Sequence, residues 1–232
     1  MAKYQGLRTL EVLEGADNYN AWIAGTLSPY VKSPALEVGA GIGNISEFFD
    51  KLESLVVTDS DPKLVKLLEN KFLPRKNVNT EVLDITSKFG EFKNRFKTVY
   101  AVNVLEHIED DKLALQNINK LLIPGGKIVL LVPAKKFAFT KLDKSLGHYR
   151  RYEKEELRKK LVDVNLIIEK IEYFNIVGLL SWMIRNMIDN SYNQLKPGHV
   201  KFFDSIVPFL RSIEPKNGLP VGISLIAVAS KK

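Results

Sequence analysis

The sequence predicts an α/β protein: a parallel, doubly wound sheet with helices on both faces and a helical cap near the C-terminus. Three observations carry this expectation. Short apolar runs alternate with amphipathic segments from residue 34 to about residue 172, the pattern of strands joined by crossover helices. The run Thr98–Val104 is almost wholly apolar, as a strand covered on both faces should be. Gly39, Gly41 and Gly43 come after the first run at alternate positions, where backbone must turn sharply and approach another group closely.

Ala35–Val38 is expected as the first strand and Gly43–Leu52 as the helix after the turn. Ser54–Thr58 is the second strand. Pro62–Lys71 is a helix with Leu64, Val65, Leu67 and Leu68 on one face. Pro62 suits its first turn, where a missing N–H costs nothing. Val78–Leu83 and Thr98–Val104 are the third and fourth strands. Leu113–Leu122 carries a helical stripe and stops at Pro124-Gly125-Gly126, a strong turn signal. Lys127–Val132 is the fifth strand, Glu153–Val162 a helix, Leu166–Tyr173 a strand and Val221–Ala229 the last strand. Residues 175–213, aromatic, apolar and basic, read as an inserted helical cap. Residues 1–32 read as a helical lid with a helix or two. No linker divides the chain, so residues 1–232 form one domain with its core over 34–174 and 221–230. Right-handed crossovers then place the C-terminal ends of the parallel strands on one edge, where ligands bind.

The 232 residues carry 34 Lys and Arg against 27 Asp and Glu, a formal charge of +7, and 45% are apolar. This excludes disorder as the main state. The chain has no cysteine, which excludes a disulfide framework, a thiolate metal site and a cysteine nucleophile. Met1-Ala2-Lys3-Tyr4-Gln5 lacks a signal-peptide stretch, and no apolar run is long enough to span a bilayer, so a cytoplasmic setting is expected. Residues 135–160 hold ten Lys and Arg against four Asp and Glu. Such a patch attracts an anion, a membrane surface or nucleic acid, and is equally the solvated face of a helix and loop. No His, Asp or Glu cluster has metal-ligand spacing, so no metal is expected.

Polar residues close four consecutive strands. Glu37 lies in the first, just before the glycines. Asp59 ends the second, 20 residues after Gly39, where a carboxylate can accept both hydroxyls of a ribose. Ser60 and Asp61 come next, and any of the three could cap the next helix. Asp84 ends the third strand, placed for an adenine amino group with Ile85 against the ring, or simply as a polar turn residue. Asn103 ends the fourth and leads into Val104-Leu105-Glu106-His107. A dinucleotide site would want G-x-G-x-x-G, but Asn44 stands at the last position, which argues against an NAD-dependent oxidoreductase.

Five stretches together resemble the class I S-adenosylmethionine-dependent methyltransferases. They are Glu37–Gly43, Val57–Pro62, Leu83–Ile85, Asn103–Ile108 and Leu122–Lys127, covering about residues 34–134 in that family's order. The resemblance implies a seven-stranded Rossmann-like sheet, mostly parallel with an antiparallel last strand. It implies S-adenosyl-L-methionine as cofactor and S-adenosyl-L-homocysteine as product. The glycine turn (Gly39, Gly41, Gly43) would cradle the methionine part and Glu37 orient its amino group. Asp59 with Ser60 would hold the ribose, Asp84 with Ile85 the adenine, and Asn103 would line the same edge. Tyr19 is the candidate aromatic that closes over the cofactor, or packs the first helix onto the sheet.

The resemblance implies a substrate side on three stretches: Asp17–Trp22, the Glu106-His107 pair, and Ser145-Leu146-Gly147-His148-Tyr149-Arg150-Arg151-Tyr152 after the fifth strand. His148 and His107 are candidate bases. Glu106 and His107 could instead only line the pocket. Arg150 and Arg151 are candidate clamps for a carboxylate or phosphate, and Tyr149 and Tyr152 offer stacking surfaces. The bland alternative pairs both arginines with Glu153, Glu155 or Glu156. The apolar cap beside a basic patch suits a small-molecule or lipid-linked (glycosidic) acceptor, methylated at oxygen, with peripheral membrane contact. A nucleic-acid methyltransferase is the alternative, disfavoured by Asn103-Val104-Leu105-Glu106 where an N/D-P-P-Y/F motif would stand. A non-catalytic cofactor-binding scaffold is the other. Oligomeric state is not legible.

Overall fold

The computed structural model describes residues 7–87, 92–188, 197–213 and 220–232. Two helices, α1 (Leu7–Glu14) and α2 (Asp17–Leu27), precede β1 (Ala35–Val38), β2 (Leu55–Asp59), α3 (Pro62–Phe72), β3 (Val78–Val82) and β4 (Phe96–Val102). Then come α4 (Asp111–Leu121), β5 (Leu122–Pro133), α5 (Lys141–Ser145), α6 (Lys154–Asp163), β6 (Leu166–Phe174), α7 (Ile176–Ile188), α8 (Pro197–Ile213) and β7 (Ser224–Lys231). The strands form one seven-stranded sheet in the order β3-β2-β1-β4-β5-β7-β6. The first five pair in parallel, and β7 runs antiparallel between β5 and β6.

Strand alternation builds two cores, one on each face. On β5, Ile128, Leu130 and Val132 join Leu115, Ile118, Leu157 and Leu161 of α4 and α6. Val129 and Leu131 face the other way, to Trp22, Leu27, Leu68 and Phe72 of α2 and α3. The all-buried pattern of β1 and β2 results from this double cover. Asp61 caps α3, its side chain accepting the Lys63 N–H at 2.8 Å, and Pro62 opens the helix.

Several boundaries differ from the sequence reading, three of them substantially. Gly43–Leu52 is not an α-helix: turns lead into a 3-10 helix of four residues, Ser46–Phe49. Three positive-φ glycines, the last Gly43 at +83°, leave too little regular backbone before the next strand. Pro124-Gly125-Gly126 does not end an element but bulges inside β5, whose pairing to β4 resumes at Lys127 after a register shift. Gly125 takes φ +74° there. The last strand begins at Ser224 rather than Val221.

The cap and lid regions meet. Asp204 of α8 accepts from the Asn18 side chain at 3.0 Å and the Tyr19 N–H at 2.8 Å, and Val207 and Leu210 are buried. The cap thus joins the core over the sheet through α8. Residues 1–6 of the expected lid and 189–196 of the expected cap lie outside the described residues. No helix among the described residues is long and apolar enough to cross a membrane.

Candidate active site

The ends of β1, β2 and β4 bring the glycine turn, Asp59 and Asn103 to one edge. Gly39 and Gly41 adopt φ +66° and +63°, the left-handed region that costs other residues about 1–2 kcal/mol. A Cβ on Gly39 would sit 2.7 Å from Val104 Cγ2, so the turn and the segment after β4 touch. A Cβ on Gly41 would sit 2.9 Å from Leu10: α1 lies over the turn, tied by the Asn44 amide to the Leu10 carbonyl at 3.1 Å.

Asp59 is buried, and its carboxylate accepts from the Gly41 N–H at 2.9 Å and the Asp61 N–H at 3.0 Å. Burial is the largest influence on it and raises its pKa, against those hydrogen bonds. Glu37 is 2% exposed and accepts from the Ser46 hydroxyl and from the Tyr100 hydroxyl at 2.9 Å. Burial pushes its pKa up to about 7, with the Asp59 charge adding to the effect. Ser60 is exposed at the end of β2. Asp84 is exposed and folds its carboxylate onto the Thr86 N–H and the Thr86 and Ser87 hydroxyls. Burial raises the Asp84 pKa, but those three bonds win and hold it below the usual range. Ile85 is buried in the core, its carbonyl accepting from Asn117 at 2.7 Å. Asn103 is exposed at φ +53°. Tyr19 packs edge-on against Trp22 and Phe203, within the α2–α8 contact.

This donor set fits the cofactor that the resemblance implies. A buried carboxylate held near neutrality suits an ammonium, which would ionise it, and Asp59 and Asp84 offer acceptors for hydroxyls and an amino group. Asn44 Oδ1, at the glycine turn, is buried without a partner.

On the far side of the same edge the 147–152 stretch is laced to the turn after β4. The Tyr149 N–H donates to the Glu106 carbonyl at 2.8 Å, and Arg150 Nη2 to the Glu109 carbonyl at 2.7 Å. His148 Nδ1 lies 3.0 Å from Asp143, and its ring stands edge-on to His107 with centroids 4.5 Å apart. Burial drives the His107 pKa down to about 4, with His148 adding to the effect. Glu106 has no exposed surface, and neither carboxylate oxygen has a hydrogen-bond partner. Burial pushes its pKa up to about 8. Glu106, His107 and His148 each place one donor atom within 4.8 Å of the others. Sequence spacing gives no sign of this grouping, because 41 positions separate His148 from His107.

Neither arginine pairs with the glutamates of the α6 start. Arg151 is buried against Asp143, with Nε 2.7 Å from Oδ1, and Arg150 pairs with Asp111 at 2.8 Å. Tyr152 has no exposed surface with which to touch an acceptor; its hydroxyl donates to Asp111 at 3.0 Å and its burial raises its pKa strongly. Tyr149 is exposed.

Asp111 and Asp143 escaped the sequence reading. Burial raises the Asp143 pKa, yet His148, Arg151 and the Thr140 N–H outweigh it and hold the carboxyl well below its usual range. Its signal was present: Thr140-Lys141-Leu142-Asp143 is a capping box, with both reciprocal bonds formed.

Residues 36–128 match the family model described as "Methyltransferase domain". The chain is 14% identical to an S-adenosylmethionine-dependent methyltransferase structure from Mesorhizobium loti, covering 93% of this chain and all of that one at a TM-score of 0.64. It is 13% identical to a chain in the complex of the Haloferax volcanii Trm112 methyltransferase activator with a methyltransferase, covering 99% of each at 0.67. Among curated proteins it is 28% identical to a ubiquinone biosynthesis O-methyltransferase of Xanthomonas euvesicatoria pv. vesicatoria (strain 85-10) over 151 residues, 59% of this chain. It spans 63% of that relative's length, and 8% of a Dictyostelium discoideum protein named as a polyketide synthase, at 23% identity. Residues 36–128 thus carry a methyltransferase domain match, and the chain shares its fold with S-adenosylmethionine-dependent methyltransferase structures.

Proposed function

We propose that the protein transfers a methyl group from S-adenosylmethionine to an oxygen of a small-molecule or lipid-linked, glycosidic acceptor. One observation carries the reading: Glu106, His107 and His148 gather beside the segment that touches Gly39, so an activating cluster borders the cofactor turn. The cofactor supplies an electrophilic methyl on a positively charged sulfur. Asp59 and the glycine turn fix the cofactor end, and the 147–152 stretch fixes the acceptor end, so that nucleophile, methyl and sulfur align. The acceptor hydroxyl gives its proton to a histidine, His148 as oriented by Asp143. With the cofactor bound, the acceptor oxygen would take the methyl group it supplies, the electron pair of the carbon–sulfur bond leaving with sulfur.

Exposed Phe137, Leu180, Met183, Phe202 and Phe209 support a lipid-linked acceptor met at a membrane periphery from the cytoplasmic side. A nucleic-acid acceptor finds less support: Arg150 and Arg151 are committed to Asp111 and Asp143 rather than presented to phosphate.

Calorimetric titration with S-adenosylmethionine, S-adenosylhomocysteine and NADH tests the cofactor side. Binding of the first two alone is expected; NADH binding alone overturns it. On the acceptor side, His148→Ala is expected to cut turnover of a hydroxyl acceptor by about a hundredfold or more, with S-adenosylhomocysteine affinity near that of the wild type. Loss of cofactor affinity in folded His148→Ala would place the substrate elsewhere.

A further inference from the structure

We propose that Glu106, His107 and His148 bind a divalent first-row transition ion, of the zinc or manganese kind, at this edge of the sheet. Two imidazoles and one carboxylate form a donor set that such ions take, with positions left open. The three donor atoms already lie within 4.8 Å of one another. Bonds of about 2.1 Å to a tetrahedral ion would set them about 3.4 Å apart, a closure that side-chain rotation can supply.

Three features point to an ion rather than to chance proximity. The Glu106 carboxylate is fully buried with both oxygens unpartnered, an arrangement that is costly until a counter-charge arrives. Arg151 favours its charge from a distance but does not bond it, because the guanidinium hydrogen bonds go to Asp143 and the Ala134 carbonyl. Second, His148 Nδ1 faces Asp143 at 3.0 Å. With the proton on that nitrogen, Nε2 keeps its lone pair, the way a carboxylate orients a metal-binding imidazole. Asp143 is itself fixed by Arg151 and by the Thr140 N–H and hydroxyl. Third, the two imidazoles stand at 89°, so they do not stack away the space between them.

The use of the ion rests on the methyl-transfer reading; its binding does not. An open position would take the acceptor oxygen, lower the pKa of its proton and let that proton leave to water. In the loaded enzyme His148 is then a ligand and no longer the proton acceptor.

The test uses the full chain, stripped with a chelator and dialysed, then titrated with Zn²⁺ and with Mn²⁺ by calorimetry. Co²⁺ is added separately while visible absorption and paramagnetically shifted imidazole signals are tracked. One ion per chain is expected, at about micromolar Kd or tighter, with shifted signals from two histidine rings. Glu106→Gln, His107→Ala and His148→Ala should each weaken binding about tenfold or more, and His199→Ala on α8 should not. If a variant fails to fold, the imidazole signals of the wild type decide alone. Absence of ion binding, or undiminished binding by a folded His107→Ala/His148→Ala protein, overturns the proposal. Ion binding without any S-adenosylhomocysteine binding would instead sink the methyl-transfer reading and leave the metal site standing.

Discussion

Asp59 Oδ2 accepts the backbone N–H of Gly41 at 2.9 Å, so one carboxylate both closes β2 and holds the glycine turn that ends β1. Its proposed hold on the cofactor ribose therefore cannot be separated from the shape of the cradle. Asp59→Ala should weaken S-adenosylhomocysteine binding by more than about tenfold and cost about 1–3 kcal/mol of stability through the unpaired Gly41 and Asp61 donors. Asp59→Asn keeps one acceptor oxygen and should lie between. Calorimetry and denaturant unfolding measure the two effects, and unchanged affinity in Asp59→Ala would remove Asp59 from the cofactor site.

Glu37 makes the unliganded protein sensitive to pH in a defined direction. Its folded pKa is raised from 4.5 to about 7, so the folded chain holds a proton that the unfolded chain releases. Stability from this group is full below the unfolded value and is lost as pH rises through about 7. The swing for an isolated group of this shift is on the order of 3 kcal/mol. The melting temperature of the wild type should fall relative to Glu37→Gln between about pH 5 and about pH 8. Parallel melting curves for the two proteins would show that Glu37 titrates normally. A cofactor ammonium beside Glu37 would favour its ionised form, so cofactor binding near neutrality should release a proton, readable from calorimetry in buffers of different ionisation heat.

The central strands β1, β2 and β4 were legible because burial on both faces leaves few polar residues in them, as Leu36, Val56 and Val99 show, each with a counterpart one residue away on the other core. The edge was legible because parallel strands end together, which brings Asp59 and Asn103 to the glycines. The segment after Gly43 was not, since glycine spacing marks a turn but leaves the next element open. Nor was Pro124-Gly125-Gly126, whose residues serve a bulge as well as a turn. The partners of Arg150 and Arg151 were hidden for a different reason. Nearby glutamates match them by sequence distance, but Asp111 and Asp143 match them by position and are already stripped of water. The Glu106, His107 and His148 cluster has no periodic signature, because a fold contact between two loops creates it.

Gly39 has no room for a side chain. Gly39→Ala combines φ +66° with a Cβ 2.7 Å from Val104 Cγ2, so Val104 must move, and with it the turn leading to Glu106 and His107. Both stability and S-adenosylhomocysteine affinity should fall. Gly125→Ala is the matched control: its φ is +74°, but a Cβ there meets nothing within 4 Å. It should show the strain of about 1–2 kcal/mol with cofactor affinity unchanged. Equal losses of affinity in the two variants would mean that general destabilisation, and not displacement of Val104, explains the effect.

Asp111 holds the 147–152 stretch from beneath. Its buried carboxylate accepts from Arg150 and Lys160 at 2.8 Å and from the Tyr152 hydroxyl at 3.0 Å. Burial raises its pKa, but the bonds from Lys160, Arg150 and Tyr152 outweigh that and hold the carboxyl below its usual range. Removing the shared partner strands two cations and a buried phenol, so Asp111→Ala should cost about 3–5 kcal/mol. Arg150→Ala or Lys160→Ala, each leaving Asp111 with two partners, should cost clearly less. Because Tyr149 is anchored next to Arg150, the acceptor KM of a folded Asp111→Asn protein should rise while S-adenosylhomocysteine affinity stays close to that of the wild type. Denaturant unfolding ranks the four variants. A ranking in which Arg150→Ala is the most damaging would place the weight of this network at the surface rather than on the buried carboxylate.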